Sequence, residues 1–155
     1  MRSYRVASLA LAVLALAAVS ACKETTSTGL GAVTCAAADA FLCPPSTLDL
    51  GYTGPTGAPT IVPGTSGTSV STGSSTYTIT GTTTATLPGY WLLVQDGVLV
   101  SWGVLSLSGG VYNQEVPLQG CGTQHLIAKF QNSAGTAYYV VELTRTGCAG
   151  PGTSA

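Results

Sequence analysis

The chain is 155 residues long, and only 7% of its residues are charged, against about 25% in average proteins. It has five cationic side chains and a net charge of −1, so it lacks the basic stripe that nucleic-acid binding requires, and nucleic acid is excluded as a partner. Its polarity comes instead from Thr, Ser, Gly, Asn and Gln, which suit turns and half-exposed strands. This composition favours an all-β protein outside the cytoplasm.

The amino-terminal segment has the order of charged, apolar and small residues that marks export. Two arginines precede an apolar run over residues 6–19, and Val-Ser-Ala-Cys follows at 19–22. The segment resembles a bacterial lipoprotein signal peptide with its lipobox. The resemblance implies removal of residues 1–21, lipidation of Cys22 and attachment to a membrane through that lipid.

Two alternatives compete with this interpretation. A transmembrane helix needs roughly 20 consecutive apolar residues, and this run is shorter. Cleavage by an ordinary signal peptidase also fits Val19-x-Ala21. That cleavage would leave five cysteines, an odd number, in an oxidising compartment, whereas acylation of Cys22 leaves four that can pair. Lys23 follows the cysteine, where an Asp would favour retention in the inner membrane of enterobacteria, so the outer membrane is favoured.

Residues 22–58 are predicted to form a lipid-anchored tether, polar and Gly-containing at its start. The alanines between Cys35 and Cys43 support a short helix, which the two following prolines would end. Residues 51–76, rich in Gly, Pro, Ser and Thr, are compatible with either linker or loosely formed strands. Pro59–Pro63 is the best candidate for an edge strand, because proline is confined to sheet edges.

From Ser75 onward the sequence alternates in the way half-buried strands do. Residues 75–82 place Tyr77 and Ile79 on one face, and residues 110–118 place Tyr112 on their apolar side.

Asp96-Gly97 between two apolar runs predicts a two-residue hairpin turn. Counting outward from a Gln95–Val98 pair puts Trp91 opposite Trp102, as cross-strand neighbours on one face.

The last hairpin has the most regular pattern, with Asn-Ser-Ala-Gly at 132–135 as its turn. If Gln131 pairs with Thr136, the inward residues of the two strands face one another. The pairs are then Phe130 with Ala137, Ala128 with Tyr139 and Leu126 with Val141. Ile127 is predicted to lie on the outer face and to contribute much less to stability than Phe130.

This register places Cys121 near Thr146, two residues before Cys148. A disulfide between Cys121 and Cys148 is therefore geometrically reasonable, and Cys35 then pairs with Cys43. Four cysteines allow three connectivities, and this one joins residues that the inferred pairing already brings close.

A series of short motifs gives a family resemblance. In chain order they are Tyr77-Thr-Ile-Thr-Gly81, Val94-Gln-Asp-Gly97, Val116-Pro-Leu118, Gly122-x-Gln124-x-Leu126 and Asn132-Ser-Ala-Gly135. The series resembles bacterial Ig-like domains, most closely the group related to the glucodextranase B domain. Cys121, in an enlarged loop, and the lengthened stretch at 101–103 depart from that pattern. The resemblance implies an Ig-like antiparallel β-sandwich, which we assign to residues 59–148, and residues 149–155 are expected to form a disordered tail. It implies no chemistry, because such modules serve as spacers, adhesive units and domain partners.

No residue is predicted to be catalytic. His125 is the single histidine, and no nucleophile and base accompany it. Asp96 is assigned to its turn, and Glu115 and Glu142 are separated on predicted outer faces without a cleft. The cysteines are spaced for disulfides and not for metal, so neither a metal nor a cofactor is expected.

The aromatic residues are the candidates for ligand contact. About half of them belong to the core by alternation, and Trp91, Trp102 and Tyr112 are the candidates for a sugar- or peptide-contacting patch. The leading hypothesis is a non-enzymatic surface lipoprotein for adhesion, scaffolding or envelope interactions, with envelope proteins or glycans as partners. A carbohydrate-binding module is the alternative, and a hydrolase is a distant third.

Overall fold

The computed structural model describes residues 30–64 and 67–148. The predicted signal peptide, the predicted lipidation site Cys22 and the predicted tail 149–155 lie outside these described residues. A 3-10 turn over Ala37–Asp39 precedes ten strands, in keeping with the short helix expected between Cys35 and Cys43. The strands are β1 (Gly51–Thr53), β2 (Ile61–Pro63), β3 (Ser69–Thr72), β4 (Thr76–Thr83), β5 (Gly89–Gln95), β6 (Val98–Leu105), β7 (Leu107–Ser108), β8 (Val111–Pro117), β9 (Gly122–Asn132) and β10 (Gly135–Arg145).

The strands form two sheets, and the all-β sandwich expected from the sequence is confirmed. The smaller sheet has the order β2-β4-β8-β7, and the larger has the order β1-β10-β9-β5-β6. All pairs are antiparallel except β3, which runs parallel to the second half of β10. The order β2-β4-β8-β7 matches strands A, B, E and D of an immunoglobulin sandwich, and β10-β9-β5-β6 matches G, F, C and C′, while β1 and β3 are additional to these eight strands. β2 lies at an edge of the smaller sheet, as Pro59 and Pro63 predicted.

The main core lies between the inner faces of the two sheets. Ile79, Tyr112 and Val116 project from the smaller sheet. They meet Trp91 and Phe130 from the larger sheet, and the rings of Tyr112 and Phe130 have centroids 4.9 Å apart. Strand alternation alone therefore assigned most of this core correctly.

The register of the last hairpin is confirmed. Gln131 pairs with Thr136, Ala128 with Tyr139 and Leu126 with Val141. The inward side chains of both strands are buried in the main core.

Both expected disulfides are confirmed. Cys35 bonds to Cys43 and Cys121 bonds to Cys148, each pair with Cα atoms 5.9 Å apart.

The hairpin of β5 and β6 differs from its predicted register. Its turn is as expected, with Asp96 and Gly97 both at positive φ and Gln95 opposite Val98. A β-bulge at Leu93/Val94 then shifts the pairing by one residue, and such a shift moves side chains to the other face. Trp91 consequently lies opposite Gly103, and the expected cross-strand pair of tryptophans is wrong.

The amino-terminal segment is not a tether from Leu30 onward. Leu30, Leu42 and Leu48 are buried and form a second core with the outer face of the larger sheet. The sheet contributes Leu92, Val94, Ile127 and Val140 to this core. The predicted tether over 22–58 is therefore wrong for residues 30–58, which also include β1. The open question of residues 51–76 is decided in favour of strands, since β1, β2 and β3 lie within that range.

The second core also corrects the expectation for Ile127. Its side chain does point away from the main core, as alternation predicted. It is nevertheless fully buried, because the amino-terminal segment covers that face. At Ile127, the face of β9 that points away from the main core is therefore buried in the second core.

Candidate functional site

Three aromatic rings from distant parts of the chain meet on the outer face of the larger sheet. The ring centroids of Phe41 and Tyr90 are 6.1 Å apart, those of Phe41 and Trp102 6.0 Å, and those of Tyr90 and Trp102 6.4 Å. The rings meet edge to face, an arrangement that aromatic quadrupoles favour. Val104 adjoins them as the cross-strand neighbour of Tyr90. These four residues, Phe41, Tyr90, Trp102 and Val104, are called the aromatic patch below.

The patch is exposed to solvent. Phe41 is 58% exposed, Val104 54% and Trp102 39%. Isolated exposed apolar side chains are ordinary, but a contiguous group of them marks a contact surface more often than chance.

Local sequence features direct each ring to this face. Tyr90 precedes the inward-facing Trp91, so strand alternation turns it outward. The bulge in the β5–β6 hairpin turns Trp102 to the same side. Phe41 lies in the loop closed by the Cys35–Cys43 disulfide, next to the buried anchor Leu42.

Two polar contacts fix the amino-terminal segment over the sheet. The indole N–H of Trp102 donates a hydrogen bond of 3.1 Å to Oδ1 of Asp39. The ammonium of Lys129 donates one of 2.6 Å to the carbonyl oxygen of Phe41. Lys129 is buried, and burial lowers its pKa, because the charged form is disfavoured away from water. A lysine held under the patch therefore anchors the segment that carries Phe41.

Two of the three aromatic residues chosen from the sequence are corrected by their burial. Trp91 is 8% exposed and belongs to the main core. Tyr112 has no exposed surface, and burial, together with the charge of Tyr139, raises its pKa to about 12. Neither ring is available to a ligand, whereas Trp102 is.

Phe41 and Asp39 were missed because their segment was assigned to a tether. A usable signal was present. Phe41 and Leu42 are adjacent apolar residues inside the small loop that the expected Cys35–Cys43 disulfide closes. Three consecutive alanines precede them in the loop, and two prolines follow the loop. Such a loop can present one side chain outward and bury the next.

An open groove of about 610 Å³ lies beside the patch, at the end of the sandwich where β5 begins and β6 ends. Val104 belongs to both the groove and the patch. Leu87, from the β4–β5 loop, and Leu107, in β7, also line the groove, and none of its lining residues carries an ionisable side chain. The groove and the patch therefore form one largely uncharged surface.

The polar residues considered for catalysis in the sequence lie in strands or in a hairpin turn. His125 and Glu142 are cross-strand partners whose Nε2 and Oε2 atoms lie 3.7 Å apart. Burial lowers the pKa of His125, and the charge of Glu142 opposes that shift. Asp96 occupies its turn with a φ of 51°, and Glu115 lies in β8 opposite Thr78.

Within residues 30–64 and 67–148, no group of three or more His, Cys, Asp or Glu side chains is arranged to hold a metal ion. Within the same ranges, no helix is long and apolar enough to cross a membrane.

Comparison with known proteins identifies no family. No family model matches the chain, and no curated protein matches it. One solved structure that is similar in part is an engineered protein, with 18% sequence identity and a TM-score of 0.46. The match covers 57% of this chain and 20% of that protein. A likeness this slight indicates neither a family nor an activity.

Proposed function

We propose that this protein is a non-enzymatic, lipid-anchored module of the bacterial cell envelope, similar to Ig-like domains of the glucodextranase B group. It serves adhesion, scaffolding or envelope interactions, and the outer membrane is its favoured location. Cys22 carries the lipid, and the aromatic patch is the contact surface. The lipobox at 19–22 and the even number of remaining cysteines support the anchor.

The aromatic patch is the observation that carries the contact function. Its rings are held by a disulfide loop and by the two hydrogen bonds of Asp39 and Lys129. Such restraint lowers the entropy cost of binding, because the rings are already ordered before a partner arrives. Trp and Tyr, two of the residue types in the patch, are also among those most enriched at binding hot spots.

Anchoring is tested by changing Cys22→Ser. This variant should lose incorporation of labelled fatty acid and should leave the membrane fraction of intact cells. The matched control is Lys23→Ser, which keeps the cysteine and should behave as the wild type. An unlabelled wild-type protein that still fractionates with membranes would refute the lipid anchor.

The contact surface is tested by photo-crosslinking in intact cells. A photoreactive amino acid at Val104 should capture envelope components. The same amino acid at Val111, an equally exposed valine on the opposite sheet, should capture few. Equal capture from both positions would remove the patch as the contact surface.

Glycan binding is the alternative, and the exposed Trp102 favours it. Its indole orientation is fixed by Asp39, and a fixed aromatic ring can stack on a sugar. Binding on a glycan array that disappears in Trp102→Ala and persists in Val111→Ala would establish this alternative.

A further inference from the structure

The described chain begins in the layer that covers the outer face of the larger sheet. Leu30 is buried in the second core, and its N–H donates a hydrogen bond of 2.9 Å to the carbonyl oxygen of Leu48. The described chain therefore begins on the face of the domain that carries the aromatic patch. At roughly 3.4 Å per residue, the chain from Cys22 to Leu30 reaches at most about 27 Å.

A lipid on Cys22 would thus hold the patch within a short distance of a bilayer. We propose that the aromatic patch is seated in the interface of the membrane that holds the lipid anchor. This inference rests on the proposed function, and it names the partner of the same surface. The occupant is a zwitterionic phospholipid surface.

The chemistry of the patch fits that occupant. Trp and Tyr are enriched at membrane interfaces, where an apolar ring and a polar group are both accommodated. Trp102 offers an exposed ring, and Phe41 and Val104 add exposed apolar surface beside it. An apolar contact between the patch and the bilayer adds to the retention that a lipid on Cys22 provides.

The charges around the patch favour neutral over anionic lipid. The carboxylate of Asp39 accepts the hydrogen bond of Trp102, and the cationic Lys129 is buried beneath Phe41. Farther along the same face, His125 and Glu142 pair with each other. Without residues 1–21, three cationic side chains stand against six carboxylates, a net charge of −3 that would repel an anionic surface.

The test uses the processed, full-length protein reconstituted into phosphatidylcholine vesicles whose acyl chains are brominated near the headgroup. Bromine quenches tryptophan at short range, so the fluorescence of Trp102 should fall relative to unbrominated vesicles. Trp102→Phe leaves the core residue Trp91 as the reporter, and its fluorescence should not change. Val104→Lys should abolish the quenching, and Val111→Lys should retain it.

Equal fluorescence of the wild type in brominated and ordinary vesicles would overturn membrane docking. Equal loss in Val104→Lys and Val111→Lys would overturn it too, because the effect would not depend on the patch. The mass of the peptide carrying Cys22 tests the anchor separately. An acylated peptide with unquenched Trp102 would refute docking and leave the anchor intact. Crosslinking from Val104 to an envelope protein, without quenching, would assign the patch to a protein partner instead.

Discussion

The second core predicts that a residue in the supposed tether is essential for stability. Leu42 is fully buried against the larger sheet. Replacing it by Ala should cost about 2–5 kcal/mol, since buried apolar contact is lost and a cavity remains. The stability of a whole domain is only about 5–15 kcal/mol, so this one change removes a large part of it.

Equilibrium unfolding in urea, followed by tryptophan fluorescence, measures the cost. Leu87→Ala is the matched control, because it is the same substitution at a site 46% exposed. The control should lose much less, roughly the ±0.5 kcal/mol of an ordinary surface change. If Leu42→Ala and Leu87→Ala have the same unfolding midpoint, the amino-terminal segment does not pack as described and the second core is refuted.

Three further predictions follow from the packing and the charges. Ile127→Thr should destabilise the domain by about 1–3 kcal/mol because it leaves a hydroxyl unpaired in the second core; a urea midpoint below that of the wild type would support this, and an unchanged midpoint would contradict it. Gly103→Ala should cost about 1–3 kcal/mol, because a Cβ there would lie 2.6 Å from Nε1 of Trp91; an unchanged melting temperature would refute that contact. Burial lowers the pKa of His125 from 6.5, so the unfolded chain binds more protons just below pH 6.5 and stability should fall as pH drops through that window. His125→Gln should flatten this dependence in thermal melts, and an unchanged slope would show that His125 is not its cause.

Sequence reasoning succeeded where the decisive contacts are local. The last hairpin joins strands that are adjacent in the chain, so its turn at 132–135 and its alternation fix the same register. The Cys121–Cys148 disulfide followed from that register. The Asp96-Gly97 turn was equally local, since both residues accept positive φ.

The bulge was not predictable from the pattern. Val98, Leu99 and Val100 are all apolar, so alternation cannot locate an extra residue among them. The shift places Trp102 on the opposite face of the sheet from Trp91. As a result, Trp102 is available to a partner and Trp91 is not.

The second core was hidden for a different reason. Leu30, Leu42 and Leu48 are too widely spaced to form a strand or helix period. Their burial depends on a surface that only the assembled sheet provides. Trp102 was therefore among the candidates that the sequence offered. Phe41 and Asp39 could be identified only from the tertiary structure.

The amino-terminal segment builds the exposed aromatic patch on the outer face of the larger sheet, because it places Phe41 against Tyr90 and Trp102. Nuclear Overhauser effects in the isotopically labelled protein measure this packing. We expect cross-peaks between the ring protons of Phe41 and those of Trp102 and Tyr90, whose ring centroids lie 6.0 Å and 6.1 Å from that of Phe41. Random-coil shifts for Phe41, with no cross-peaks to either ring, would contradict it.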